Sequence, residues 1–323
     1  MNELLTTSVG SFPKPEYLSR ARTKASKGDL SKEDLRALEE RATKEWIRFQ
    51  EEIGMDVLVD GEQYRGDMAT YFAENIEGTE ISGLVRSYGN RYYKKPIIVD
   101  ELRLRGPISV DWFKFAQAKT ERPVKGMITG PYTMMDWSFD EHYASRGELA
   151  LAFAKILHQE ARDLEKAGAT VIQIDEPALS ARTDELDLVV KALGVVTRGL
   201  GAKTITHTCY GNYDRVFPYF NKLPVDQIDL EMSNSGLDLL DRFRREPLKK
   251  EIAFGVIDVH THVVETEAQV RERIDRALET FTPARLYIDP DCGLKTRTVG
   301  EAEAKLRVMV AATRAAKEAH GLA

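Results

Sequence analysis

Hydrophobic and polar positions follow two rhythms along this chain. Short apolar runs of strand character occur at Leu5–Val9, Val57–Asp60, Val124–Thr129, Thr170–Ile174, Thr204–Cys209, Gln227–Met232, Ile252–Val259 and Arg285–Asp289. Between them lie longer stretches whose apolar residues recur three and four apart, as from Leu149 to Leu157. That spacing places them on one face of an α-helix. The span Ser31–Ile53 reads as strongly helical, and Ser31 followed by Asp34 resembles an N-terminal capping box. Strands that alternate with helices pair in parallel. Eight of them predict an α/β fold, a single (β/α)8 barrel of the TIM type. A doubly wound open sheet is the competing arrangement. Its Gly-rich phosphate turn is missing, because Ser8-Val9-Gly10-Ser11-Phe12-Pro13 does not have the form G-x-G-x-x-G.

One region breaks the rhythm. Residues 76–109 carry Gly78, Gly83, Gly89-Asn90 and Gly106-Pro107 around short extended runs, which predicts a β-hairpin inserted between the second and third barrel strands. Its middle, residues 86–95, is basic and aromatic. That text fits a solvated hairpin of ordinary β-propensity. It also fits a lid or docking ridge at a barrel mouth.

Composition narrows the picture further. A chain of 323 residues is long enough to bury a substantial core without disulfides, and no linker, repeat or low-complexity stretch divides it. A single catalytic domain over 1–323 is therefore expected. The formal net charge of −6 argues against a general nucleic-acid binder. Hydrophobic content of 42% and a mean hydropathy of −0.38 fit a soluble globular protein. No apolar run reaches the roughly 18 residues of a membrane span. The first residues, Met-Asn-Glu-Leu-Leu-Thr-Thr-Ser, lack a secretory pattern. Two cysteines far apart do not make a disulfide framework, and a reducing cytoplasm suits thiolate ligands.

In barrels of this kind chemistry collects where strands end and the following loops begin. Those positions hold Ser11, Glu62, Trp137 after the third strand, Asp175-Glu176, His207 with Cys209, Glu231, Asp258 with His260, and Cys292. Taken singly, His207 reads as a satisfied core histidine and each cysteine as a small buried hydrophobe. Taken together they form a donor set of one nitrogen, two sulfurs and the Glu231 carboxylate, which are the ligand types zinc prefers. His207 and Cys209 stand two apart on one strand, so their side chains point the same way from Cα atoms about 6.6 Å apart. Metal bonds of about 2.0 Å to nitrogen and 2.3 Å to sulfur bridge that gap.

At these residues the chain resembles the catalytic barrel of the cobalamin-independent methionine synthase family. The matching segments are Thr6–Pro13, Asp60–Met68, Ile128–Ser138, Ile174–Leu179, His207–Cys209, Glu231–Ser233, Asp258–His260 and Asp289–Arg297, in family order over nearly the whole chain. The resemblance implies Zn2+ held by His207, Cys209, Glu231 and Cys292. It implies that L-homocysteine is bound by the Val9-Gly10-Ser11 turn, Glu62 and Asp175. It further implies a donor-stacking role for Trp137 and a catalytic one for His260; beside it, Asp258 is placed to orient His260, and Glu176, before Pro177, fits a supporting place. A homocysteine thiol has a pKa near that of cysteine, so only a minority is thiolate at neutral pH, and coordination to zinc removes the proton outright.

The larger family members carry a further amino-terminal half that this sequence does not match. That half contributes to the folate-polyglutamate surface, so two methyl donors stay open. One is 5-methyltetrahydrofolate, whose leaving nitrogen needs a proton and hence a general acid such as His260. The other is methylcobalamin on a corrinoid carrier protein, which leaves as reduced cobalt without a proton, and the missing half tilts the expectation toward it. Other readings remain beside this one. They are methyl transfer to or from another small thiol, a zinc-holding or carrier-docking module, and a zinc hydrolase suggested by the His-x-His pair His260 and His262.

Overall fold

A computed structural model describes residues 3–86, 92–209, 213–233 and 238–322. Its strands, in chain order, are β1 (Leu5–Thr6), β2 (Ile76–Arg86), β3 (Tyr92–Leu104), β4 (Gly126–Thr129), β5 (Phe139–Asp140), β6 (Val171–Asp175), β7 (Lys203–Thr208), β8 (Gln227–Leu230), β9 (Glu251–Ile257) and β10 (Leu286–Pro290). One sheet has the order β2-β3-β5. The chain divides into two compact units, one of residues 1–64, 112–125 and 229–323, the other of residues 65–111 and 126–228.

In the first unit β1 pairs parallel with β10 (Leu5 with Tyr287, Thr6 with Ile288), and β10 pairs parallel with β9. The predicted strand Val57–Asp60 shrinks to a single parallel bridge, Leu58 to Val124. The reason is a side chain. The buried Gln50 amide donates to the Val59 carbonyl at 2.8 Å and accepts from the Val59 N–H at 2.9 Å, replacing the ladder there. Helices Glu267–Leu278 and Val299–Ala319 pack on β9 and β10, and helix Lys32–Ile53 packs against the second of them. Ser31 is the N-cap of helix Lys32–Ile53, and its hydroxyl accepts from the Asp34 N–H at 3.0 Å. The expected capping box is incomplete. The Asp34 carboxylate takes the Ser31 hydroxyl proton at 2.7 Å in place of the Ser31 N–H. Complete boxes occur at Thr266 with Gln269 and Thr298 with Glu301.

Burial in this unit also sets a pH dependence. Glu39 lies on the inner face of helix Lys32–Ile53, and its carboxyl is pushed up to about 7, chiefly by desolvation, against the pull of Arg22. A carboxyl raised on folding holds its proton more tightly in the native state. Its stabilising contribution is present below the unfolded value of 4.5 and is lost as pH rises through about 7. Stability is therefore expected to fall by about 1–3 kcal/mol across that window. Glu39→Gln should flatten this part of the urea-midpoint profile, and an unaltered slope would refute the assignment.

In the second unit β4, β6 and β7 pair in parallel, with Gly126 opposite Ile172 and Val171 opposite Lys203. Helices Arg146–Lys166 and Leu186–Val196 follow β5 and β6 respectively in the chain. Glu160, buried on the first of these, accepts from the N–H groups of Ile108 and Ser109 at 2.8 and 2.7 Å, where helix Val110–Gln117 begins. The expected hairpin is present as antiparallel β2 and β3. Its register breaks between Glu77 and Thr79, where Gly78 has φ +83° and a side chain would meet the Glu101 carbonyl oxygen at 2.6 Å. Sequence pattern did not reveal β5, a two-residue strand that pairs in parallel with β3. The turn at residues 87–91 lies outside the described residues. Among the described residues no helix is long and apolar enough to cross a membrane.

Candidate metal and substrate site

The candidate residues sit at, or just past, the carboxyl ends of the parallel strands. Asp175 is the last residue of β6, His207 lies in β7 with Cys209 just beyond it, Glu231 follows β8, Asp258 follows β9, and Cys292 stands two residues after β10. Trp137 departs from expectation. Helix Pro131–Asp136 intervenes after β4, and Trp137 is its C-cap.

In the second unit the backbone around His207 is pinned at three successive carbonyls. The Glu176 N–H donates to His207 O at 2.9 Å, the Tyr213 hydroxyl to Thr208 O at 3.0 Å, and the Ser180 hydroxyl to Cys209 O at 2.7 Å. Of these partners only Glu176 was singled out by sequence, because side chains that grip a carbonyl leave no spacing pattern. His207 and Cys209 are both buried. Asp175, also buried, accepts from Gln173 Nε2 at 2.7 Å, and its carbonyl accepts the Gly130 N–H at 2.8 Å. Glu176 is fully buried and accepts from the N–H groups of Tyr132 (3.0 Å) and Thr133 (2.7 Å) and from the Thr133 hydroxyl (2.6 Å). Burial lifts its carboxyl to about 7 against those bonds. It thus fixes the start of the short helix that ends in Trp137. The Trp137 ring lies 6.2 Å from that of Tyr93 on the hairpin, at 54°. Lys95 Nζ stands 4.2 Å from the centre of the Phe139 ring. The basic-aromatic text at 92–95 therefore packs beside the candidate donor-binding tryptophan.

In the first unit Glu62 is buried and adopts a left-handed backbone, φ +54°. Such strain in a non-glycine residue persists only where its surroundings over-determine it, commonly at functional positions. Here Asp60 Oδ1 accepts the Glu62 N–H at 2.8 Å, and Lys14 Nζ reaches the Glu62 carbonyl at 3.3 Å. The Val9-Gly10-Ser11 turn is held on both sides, by Phe12 N–H to Gly61 O at 3.0 Å and Leu294 N–H to Ser11 O at 2.7 Å. Gly293 is required by this approach, because a β-carbon there would lie 2.0 Å from Ser11 Oγ.

Asp291, which sequence reasoning passed over although it precedes Cys292, ties two of the strand ends together. Its buried carboxylate accepts from the Met232 N–H (3.0 Å), the Ser233 N–H (2.9 Å) and the Ser233 hydroxyl. Glu231 and Cys292 are each adjacent to a residue of this clamp. Glu231 Oε1 lies 3.2 Å from His260 Nε2, and that hydrogen bond leads the causes that raise the His260 pKa. Asp258 meets the main chain of His260. Its Oδ1 accepts the backbone N–H of His260 at 2.7 Å, because a side chain two residues away meets the main chain first. His262 points elsewhere. It is exposed, with Nδ1 2.9 Å from Glu301 Oε1.

His207 and Cys209 offer a nitrogen and a sulfur in the second unit, and Cys292 offers a sulfur in the first. One imidazole nitrogen and two sulfurs are donor types whose softness suits zinc. Glu231, in the first unit with Cys292, faces His260.

Comparison with known proteins fixes the family. Residues 4–315 match the family model described as the catalytic domain of cobalamin-independent synthase. The chain belongs to the cobalamin-independent synthase family. It is an enzyme of the methionine synthase type. Methionine synthase of Saccharolobus solfataricus is 39% identical over 98% of this chain and 95% of its own length. A Streptococcus gordonii relative, named 5-methyltetrahydropteroyltriglutamate–homocysteine methyltransferase, is 38% identical over 98% of this chain. The chain spans only 44% of that protein. The solved B12-independent methionine synthase from Shewanella sp. W3-18-1, in complex with selenomethionine, shares 30% identity and superposes with a TM-score of 0.90, covering 99% of this chain and 100% of its own. The barrel expected from the alternating pattern is therefore the fold of this family.

Proposed function

We propose that this protein is one catalytic domain that methylates the thiol of L-homocysteine to give L-methionine. What carries this reading is the donor set His207, Cys209 and Cys292, each at or just past a strand end, in a chain of the synthase family. These three residues, with Glu231 as the fourth, would hold Zn2+. Bound there, the ion supplies deprotonation of the substrate thiol at neutral pH. A reducing compartment such as the cytoplasm keeps both cysteines available as ligands.

The remaining roles fall to the chain's own groups. Glu62 and Asp175 offer carboxylates to the substrate ammonium, and the turn at Val9, Gly10 and Ser11 offers backbone N–H groups to its carboxylate. Trp137 gives the donor a flat face. The donor we propose is a 5-methyltetrahydropteroyl glutamate, the compound in the name of the streptococcal relative. The expected methyl-corrinoid and its carrier protein draw no support from the comparisons, since the matching family is described as cobalamin-independent. In the reaction the thiolate sulfur forms the new S–C bond while the C–N5 bond breaks. The electron pair stays on N5, which takes a proton, and His260 is the residue we assign to deliver it.

The test is a methyl-transfer assay crossing homocysteine and other small thiols against the methylated pterin and methylcobalamin, with metal content measured alongside. Turnover with homocysteine and the pterin is expected. Turnover with methylcobalamin alone would reverse the donor assignment. Preference for another thiol would reverse the substrate. Asp175→Ala should raise the KM for homocysteine about 10- to 100-fold and leave kcat within a few-fold, as loss of one charge-assisted hydrogen bond requires. An unchanged KM would show that the Asp175 carboxylate is structural.

A further inference from the structure

Lys305 stands in the second turn of helix Val299–Ala319, and its side chain has 0% exposure. Its ammonium carries three protons and has three acceptors: the Asp258 carbonyl at 2.9 Å, the Val263 carbonyl at 2.5 Å and Glu265 Oε2 at 2.9 Å. Glu265 completes the ring, because its Oε1 accepts the Asp258 N–H at 2.8 Å. The loop from Asp258 to Glu265 is therefore gathered around one buried cation. Inside that loop the Asp258 carboxylate fixes the His260 N–H, and the His260 ring meets Glu231.

A buried ion pair adds little net stability over apolar residues of the same volume, since desolvating both charges offsets their attraction. What it does impose is shape. Two carbonyls and a carboxylate from one loop must converge on one nitrogen, and only one loop conformation allows that. We propose that Lys305 and Glu265 are positioning residues that set the 258–265 loop so that His260 is presented for proton transfer. The assignment rests on the methyl-transfer reading given above. Lys305 lies outside every segment that resembles the family, and among the described residues its hydrogen bonds go to Asp258, Val263 and Glu265, none of them a candidate metal ligand or substrate-binding residue.

The experiment uses the metal-loaded protein and Lys305→Met, with Glu265→Gln as a second variant should the first not fold. Each is expected to lower kcat about 10- to 100-fold, the scale on which small misplacements of a reacting group act. KM for homocysteine should stay within about twofold and metal content should be unchanged, because neither ligands nor substrate groups have moved. Hydrogen–deuterium exchange in the 258–265 peptide should rise. The double variant Lys305→Met with Glu265→Gln removes both charges and should recover thermal stability while kcat stays low. Recovery of kcat together with stability, an unchanged kcat in the single variants, or unaltered exchange would each overturn the proposal. Should the unsubstituted protein fail to methylate homocysteine, the functional reading falls separately, and the exchange data alone then decide whether Lys305 shapes the loop.

Discussion

Cys292→Ser protein is expected to fold, to lose its metal on dialysis, and to fall at least about 10³-fold in methyl transfer. A serine hydroxyl stays protonated at neutral pH, whereas a cysteine near a metal ionises and binds as thiolate. The change removes one of the two sulfur donors proposed for the metal. Folding should survive because the backbone on either side is held independently. The Asp291 N–H donates to Ile257 O at 3.0 Å and the Leu294 N–H to Ser11 O at 2.7 Å. Metal-to-protein stoichiometry by mass spectrometry and a thermal melt by circular dichroism check the two halves of the expectation. A variant that retains full metal would remove Cys292 from the ligand set.

Asp291→Ala should damage both stability and activity. The change strips the acceptor from two N–H groups at Met232 and Ser233 and from the Ser233 hydroxyl. Each buried donor left without a partner costs about 1–3 kcal/mol, so a loss of about 3–5 kcal/mol is expected. The residue before Met232 is Glu231 and the residue after Asp291 is Cys292, so the same change loosens two proposed ligands. Metal affinity should drop about 10- to 100-fold, as is usual when a group supporting a ligand is removed. Asp291→Asn is the control. An amide oxygen still accepts, and burial has already raised the Asp291 carboxyl to about 7, so loss of its charge is tolerated. Urea unfolding and competition with a chelating dye measure the two effects. Equal behaviour of the alanine and asparagine variants would show that the clamp is dispensable.

How much of this was written in the sequence follows from the length scale of each signal. The strands β6, β7, β9 and β10 were legible to within a residue or two, because buried parallel strands read as continuous apolar runs. The strand at Val57–Asp60 was over-read, since an apolar run does not show that Gln50 replaces its partner. The strand β5 was missed, because two residues carry no period. Among site residues, His207, Cys209 and Cys292 were legible as a donor set, because each stands at or just past a strand end. The contacts of Asp258 and Glu231 were not. Which atom a carboxylate meets depends on loop conformation, and here Asp258 holds a backbone N–H while Glu231 holds the His260 ring. Asp291, Ser180 and Lys305 act by gripping main-chain groups of residues distant in sequence, and no motif advertises that.

The Gln50 amide has a consequence for how this molecule communicates. Both main-chain groups of Val59 are tied to one residue of helix Lys32–Ile53 rather than to a neighbouring strand. Three residues later the chain reaches Glu62 in its strained conformation. Any loosening of that helix is thereby transmitted to the turn assigned to the substrate ammonium, and occupancy of the turn should in return quiet the helix. The Val59 amide proton is thus a built-in gauge, whose exchange with solvent should slow when homocysteine is added.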